Sequence, residues 1–223
     1  MSNDTIFISL GSTCGIAYQL QKLGLKKESL PFDWVKTDNM TSVCHIIKNG
    51  FNLFGDFSQL ELQRQSTKHP VLETDDWIST ENTVSYVYRN KIGIQFFHDF
   101  PSQFDSETSS IYINFKNKYT RRFDRFYGLF SSGKKLVFVR DEFKPNKLSK
   151  ESVEELIDLL VSMLSNNTTI NFVLCIHNPS NKTFDWINII DKKYHFVKIV
   201  IDNNKLNGWQ RDNLNWKEIL LTE

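Results

Sequence analysis

The apolar positions of this chain fall into short solid runs separated by stretches with helical spacing. Thr5 to Leu10 reads as a buried strand, and Gly11-Ser12-Thr13 as a tight turn. Cys14 to Leu23 then reads as a helix, with Ile16, Ala17, Leu20 and Leu23 near helical spacing and Gly24 ending it. Asp38 is placed to cap a second helix through Met40, Val43, Ile46 and Ile47, which Asn49-Gly50 stops. From Phe51 to Thr80 the periodicity fades into scattered aromatics and turn signals such as His69-Pro70, which predicts an irregular, lid-like excursion over residues 51–80.

A β-hairpin is predicted from Val84-Ser85-Tyr86-Val87-Tyr88 and Ile92 to Phe97 around Arg89-Asn90-Lys91, delivering His98-Asp99-Phe100-Pro101 at its end. Tyr119, Phe123, Phe126, Tyr127 and Phe130 predict a helix over 117–130, and Gly133 supplies its stop. Leu136 to Arg140 is a short buried strand. Ser149 caps an amphipathic helix carrying Val153, Leu156, Ile157, Leu160 and Leu164, and Ile170 to Ile176 is a second buried strand. A weaker strand follows over Phe196 to Ile201, and the polar tail 203–223, with Trp209 and Trp216, is expected to pack as a short appendage. Buried strands alternating with helices predict an α/β fold: a three-layer, largely parallel sheet with helices on both faces and an added β-hairpin, in a single domain over 1–223.

Composition narrows the classes of function. With Lys+Arg 27 against Asp+Glu 26 in 223 residues, the formal net charge of +1 gives no general attraction to nucleic acid or anionic membrane, so neither is expected as a partner. Eighteen Phe, seven Tyr and five Trp are too much apolar surface to leave solvated, which excludes disorder over most of the length. No apolar run approaches the ~18 residues of a membrane span, and the start lacks the basic leader of a signal peptide. Three cysteines make no disulfide framework, and a cytoplasmic location is expected. None of them pairs with a Cys or His at metal-ligand spacing, so neither a metal nor a cofactor is expected.

The cysteines differ in setting. Cys44 falls in the apolar stripe of its helix and Cys175 inside a buried strand, so both read as core. Cys14 stands at the first turn of a helix, where the dipole and open N–H groups would stabilise a thiolate and receive an oxyanion. Gly11 lets the chain turn sharply there, and Gly11, Ser12 and Thr13 are candidate substrate contacts. The alternative is a small residue packed beneath the sheet edge. For the base, His98 and His177 both end strands, where active-site side chains collect, with His98 the better placed and His177 otherwise a substrate contact. Asp99 follows His98 directly and would point to the opposite face, so Asp33 and Asp141 are the candidate orienting carboxylates, with Asn178 for an Asn-type arrangement. Arg140 leaves its strand where it could grip a carboxylate or phosphate, or else pair with Asp141. Arg121, Arg122 and Arg125 read either as the solvated face of an aromatic helix or, for Arg122, as a substrate contact, and Trp34 in Pro31-Phe32-Asp33-Trp34 is a further candidate contact.

Taken in order, Ser9-Leu10-Gly11-Ser12-Thr13-Cys14, Pro31-Phe32-Asp33-Trp34, His98-Asp99-Phe100, Tyr119-Thr120-Arg121-Arg122 with Arg125-Phe126, and Phe138-Val139-Arg140 resemble a family of bacterial and large-DNA-virus proteins described as papain-like cysteine peptidases. The resemblance covers about the first 140 positions. It implies a cysteine nucleophile and a histidine base, which carry onto Cys14 and His98, and a papain-like α+β fold as the alternative architecture. The glutamine that papain-like enzymes place shortly before the cysteine is absent, and Gly11, Ser12 and Thr13 stand there instead.

Three functions follow. The first is cysteine-dependent acyl chemistry through a thioester, as hydrolase or acyltransferase, on a small-molecule, glycan or peptide substrate. The second is a noncovalent phosphate or nucleotide-sugar site at the Gly11 to Cys14 turn, with an inert cysteine. The third is a binding module in which Trp34, Trp77 and Trp209 stack on sugars or peptide side chains.

Overall fold

The computed structural model describes residues 5–66, 85–205 and 208–222. Val84, His69-Pro70, Trp77 and the later part of the 51–80 stretch lie outside them. Among the described residues no helix is long and apolar enough to cross a membrane.

Two four-stranded sheets organise the chain. The first is parallel, in the order β1 (Thr5–Ser9), β6 (Lys135–Glu142), β7 (Thr169–His177), β8 (Val197–Asp202). In register, Ile8 lies beside Phe138 and Phe138 beside Phe172. Alternation sends Ile8, Leu136, Phe138, Phe172 and Leu174 into one core, and Val137, Val139, Val173 and Cys175 into another on the opposite face. The first core is closed by α2 (Met40–Asn49), α4 (Ser110–Leu129) and α5 (Lys150–Ser162), the second by α1 (Gly15–Lys22) and α7 (Trp216–Leu221). Strands apolar at nearly every position are what a sheet covered on both faces requires, so the α/β expectation holds at that level.

The second sheet is antiparallel, in the order β2 (Val35–Thr37), β5 (Ile94–Phe96), β4 (Ser85–Asn90), β3 (Leu60–Ser66). The predicted hairpin is its centre, not an isolated addition. Residues 51–66 are not irregular either: α3 (Phe51–Phe54) and a 3₁₀ turn lead into β3. Phe54 meets Phe32, Phe96, Tyr119 and Phe123 at ring-centroid distances of 4.7 to 6.4 Å, an aromatic core between this sheet and α4.

Helix boundaries follow their caps. Asn39, not Asp38, caps α2 by accepting from the Ser42 N–H at 2.8 Å, because Asp38 is held by Arg89 and by Lys144. Ser149 caps α5 in a reciprocal pair with Ser152. Helix α4 starts seven residues earlier than the aromatic spacing indicates, and α6 (Ile187–Lys193) carries too little pattern to be seen in sequence. The tail packs closely. Trp216 is buried in the second core, and Arg211, fully buried at φ 59°, bonds Asp141 and Asp202 at the carboxyl ends of β6 and β8.

Candidate active site

The turn after β1 is shaped by two consecutive residues in left-handed backbone, Gly11 at φ 75° and Ser12 at φ 76°. Glycine takes this conformation freely, whereas serine takes it only under constraint. The constraint is Thr37. Its hydroxyl accepts the Ser12 N–H at 2.9 Å, and its own N–H donates to the Ser12 carbonyl at 3.3 Å. Gly11 also needs its missing side chain, since a Cβ there would lie 3.0 Å from Thr37 Cγ2. The turn therefore sets Cys14 as the residue that opens α1.

His98 comes from the other sheet, two residues beyond β5. Its Nε2 lies 3.8 Å from Cys14 Sγ, within sulfur hydrogen-bond range. The loop carrying it is pinned through the next residue. Asp99 takes the Lys118 ammonium at 2.6 Å on one oxygen and the Tyr119 hydroxyl at 3.2 Å on the other. Tyr86 N–H also donates to the Phe100 carbonyl at 2.8 Å. Asp99 thus faces α4 while His98 faces Cys14, the strand having already ended at Phe96.

Electrostatics at Cys14 run opposite to the sequence expectation. Burial pushes the thiol up to about 12, the Asp99 carboxylate adds to this, its own backbone N–H works against it, and Asp33 raises it further. The helix N-terminus does not win, because two carboxylates and desolvation oppose a thiolate. Such a site suits a neutral thiol that gives its proton to His98 during attack, in place of a preformed ion pair. Tyr119 is likewise raised well above its ordinary value by burial first and by Asp99 next, so it stays a hydrogen-bond donor.

The other candidates divide. Asp33 is buried close enough to influence Cys14, accepts the Leu30 N–H at 2.8 Å and sits 3.7 Å from the Lys26 ammonium. Trp34 packs with Ala17, Cys14 and Tyr18, but it is 1% exposed and donates to the Ser29 hydroxyl at 3.4 Å, so it supports the site from beneath. Arg122 is not on a solvated face: it is buried, with its guanidinium over the Tyr119 ring at 5.0 Å. Gly11 and Ser12 N–H groups are spent on Ser9 and Thr37, and the Gly15 N–H on the Thr13 hydroxyl at 3.3 Å. Among the described residues the Thr13 N–H has no hydrogen-bond acceptor.

Arg140, Asp141 and His177 are engaged elsewhere. Arg140 is fully buried, donating to the Leu10 carbonyl and the Thr37 hydroxyl, both at 2.9 Å, and to Glu142. It pairs with Glu142, not Asp141, and joins the two sheets instead of reaching a ligand. Asp141 gives both oxygens to Arg211, at 2.6 and 3.2 Å. His177 faces Asp202 at 3.4 Å, and Asn178 closes its own loop through Lys182. Cys44 and Cys175 are fully buried, as expected. No group of residues suited to a metal ion occurs among the described residues.

Sequence reasoning missed Lys118, Thr37 and Arg211. Tyr119 was visible within a motif, but its tie to Asp99 was not. Each acts through a partner distant in sequence, and only the buried spacing of α4 hinted that Lys118 and Tyr119 face inward.

Residues 5–178 match the model of a family described as "Putative papain-like cysteine peptidase", and the chain belongs to that family. It is similar to "Uncharacterized protein R408" of Acanthamoeba polyphaga mimivirus, with 89% identity over 223 residues and full coverage of both chains. No solved structure matches it.

Proposed function

We propose that the chain catalyses cysteine-dependent acyl transfer with Cys14 as nucleophile and His98 as base, in a three-layer α/β unit extended by the antiparallel sheet. The observation that carries this is the 3.8 Å approach of Cys14 Sγ to His98 Nε2, made by residues 84 positions apart on different sheets. His98 takes the thiol proton as sulfur bonds to the substrate carbonyl carbon, whose π electrons move onto oxygen. Thr13 and Cys14 N–H groups face that oxyanion. The tetrahedral adduct collapses, the leaving amine or alkoxide takes the proton from His98, and a thioester remains. Water attacks in the same way for a hydrolase, or an amine or hydroxyl for a transferase. The substrate class is a peptide or other acyl compound.

The phosphate reading gains no support, because Gly11 and Ser12 N–H groups are internally bonded and Arg140 is fully buried on Leu10, Thr37 and Glu142. The test is labelling by an acylating thiol probe at neutral pH. Label should reside on Cys14, vanish in Cys14→Ala and fall at least a hundredfold in His98→Ala, the lower end of the effect of a general base. Full labelling of Cys14→Ala would overturn the proposal.

A further inference from the structure

Helix α1 begins Cys14-Gly15, and the glycine has a specific cause. A Cβ at position 15 would stand 2.5 Å from the Trp209 carbonyl oxygen and 3.4 Å from Arg211 Cγ, so the segment 208–212 passes directly over the first turn of the helix. One turn further on, the Tyr18 ring meets the Trp209 ring edge to face at 5.3 Å. Tyr18 and Cys14 both pack on Ala17 and Trp34. Trp209 therefore meets α1 at the residue that follows Cys14 and again at Tyr18, four residues beyond it.

This segment is held firmly. Gln19 donates to the Gln210 carbonyl at 2.6 Å and to Asp212 at 2.8 Å. Lys22 pairs with Asp212, the buried Arg211 bonds Asp141 and Asp202, and the Trp216 indole donates to the Arg211 carbonyl at 2.8 Å. The Trp209 side chain, held by this frame, is nevertheless 38% exposed, and among the described Phe, Tyr and Trp residues it is the most exposed. A lone exposed apolar residue is ordinary. An exposed indole held by buried ion pairs against the helix that bears the nucleophile is a placed surface. The segment also lies beyond residue 178, where the family match ends.

We infer that Trp209, with Tyr18, forms the wall of a specificity subsite beside Cys14 that takes an aromatic or large apolar side chain of the acyl donor. This rests on the reading of Cys14 as nucleophile. An indole offers a flat apolar face and edge-to-face geometry to a ring, while the Lys22 and Asp212 pair closes the far end of the surface with balanced charge.

Two chloromethyl ketones differing only in a benzyl or a methyl side chain test it. In each, Cys14 sulfur bonds to the methylene carbon and chloride leaves. The benzyl compound should alkylate about tenfold faster, corresponding to one good aromatic contact. Trp209→Ala should abolish that preference while leaving the rate with iodoacetamide unchanged, and Trp209→Phe should retain most of it. A reactive Cys14 with equal rates for the two ketones, or a preference that survives in Trp209→Ala, would overturn the subsite alone. A Cys14 that neither ketone nor iodoacetamide modifies would overturn the nucleophile reading, and the subsite with it.

Discussion

Replacing Arg211 by Ala should destabilise the protein strongly, and by an amount that depends on pH. The guanidinium makes two contacts to Asp141, at 2.6 and 3.2 Å, and a third to Asp202 at 2.8 Å. All three residues are at most 2% exposed. Removing the cation leaves two buried carboxylates without the guanidinium that pairs with both, so the cost should be about 3–5 kcal/mol at pH 7. For a chain of this size that lowers the melting temperature by roughly 6–20 °C.

The direction with pH follows from the two acids. Burial lifts the Asp141 carboxyl above the ordinary range even with Arg211 present. A raised carboxyl penalises the fold once it ionises, and the penalty is relieved as pH falls. Burial opposes Asp202 too, but its bonds to Arg211 and Asn204 prevail and hold its carboxyl below the ordinary range. Its contribution is present above the unfolded-state value and lost as pH falls through the folded one. Without Arg211 both carboxyls rise, so the deficit of the variant should be largest near neutrality and should shrink toward about pH 4, where both take up protons. Urea unfolding at both pH values measures it. A deficit under about 1 kcal/mol at neutral pH, within the range of surface ion pairs, would refute the reasoning. An equal deficit at both pH values would refute it as well.

Other outcomes concern the site. Asp99→Asn removes a charge that raises the Cys14 thiol, so alkylation by iodoacetamide at pH 7 should quicken; slower alkylation in a folded variant would contradict the electrostatic assignment. In His98→Ala the alkylation rate should keep rising with pH toward the thiol value of about 12, whereas a plateau near neutrality would mean a thiolate already formed. Gly11→Ala forces a side chain into left-handed backbone 3.0 Å from Thr37 Cγ2, which should cost about 1–3 kcal/mol by thermal denaturation. Gly15→Ala should displace the 208–212 segment, read as quicker proteolysis of the tail while the rest of the chain resists.

The parallel sheet was legible because strands buried on both faces leave solid apolar runs such as Leu136 to Val139, and because Gly24, Gly50 and Ser149 mark helix ends. Strands β2 and β3 were not. Val35-Lys36-Thr37 is too short to show alternation, and Leu60-Glu61-Leu62-Gln63-Arg64 loses its period at an irregularity between Leu62 and Arg64 on the sheet edge. Cys14 and His98 could be singled out because ends of strands and starts of helices are readable locally. The arginines could not be. A buried guanidinium is identified by all its partners, and beside the nearby Glu142 and Asp202 those of Arg140 and Arg211 include Leu10 and Asp141, 130 and 70 residues away. The same reason sent Asp141 to the wrong role.

Thr37 and Arg140 also govern the order in which the molecule becomes competent. Cys14 follows a strand whose sheet partner, β6, begins 121 residues after that cysteine is made, and His98 belongs to the sheet on the far side of the Thr37 joint. During synthesis Cys14 is made well before His98 and before the strand that pairs with β1, and the Thr37 joint that shapes its turn closes only once both sheets have met. A half-made chain thus carries an ordinary cysteine, and Cys14 meets His98 only after the fold is nearly complete.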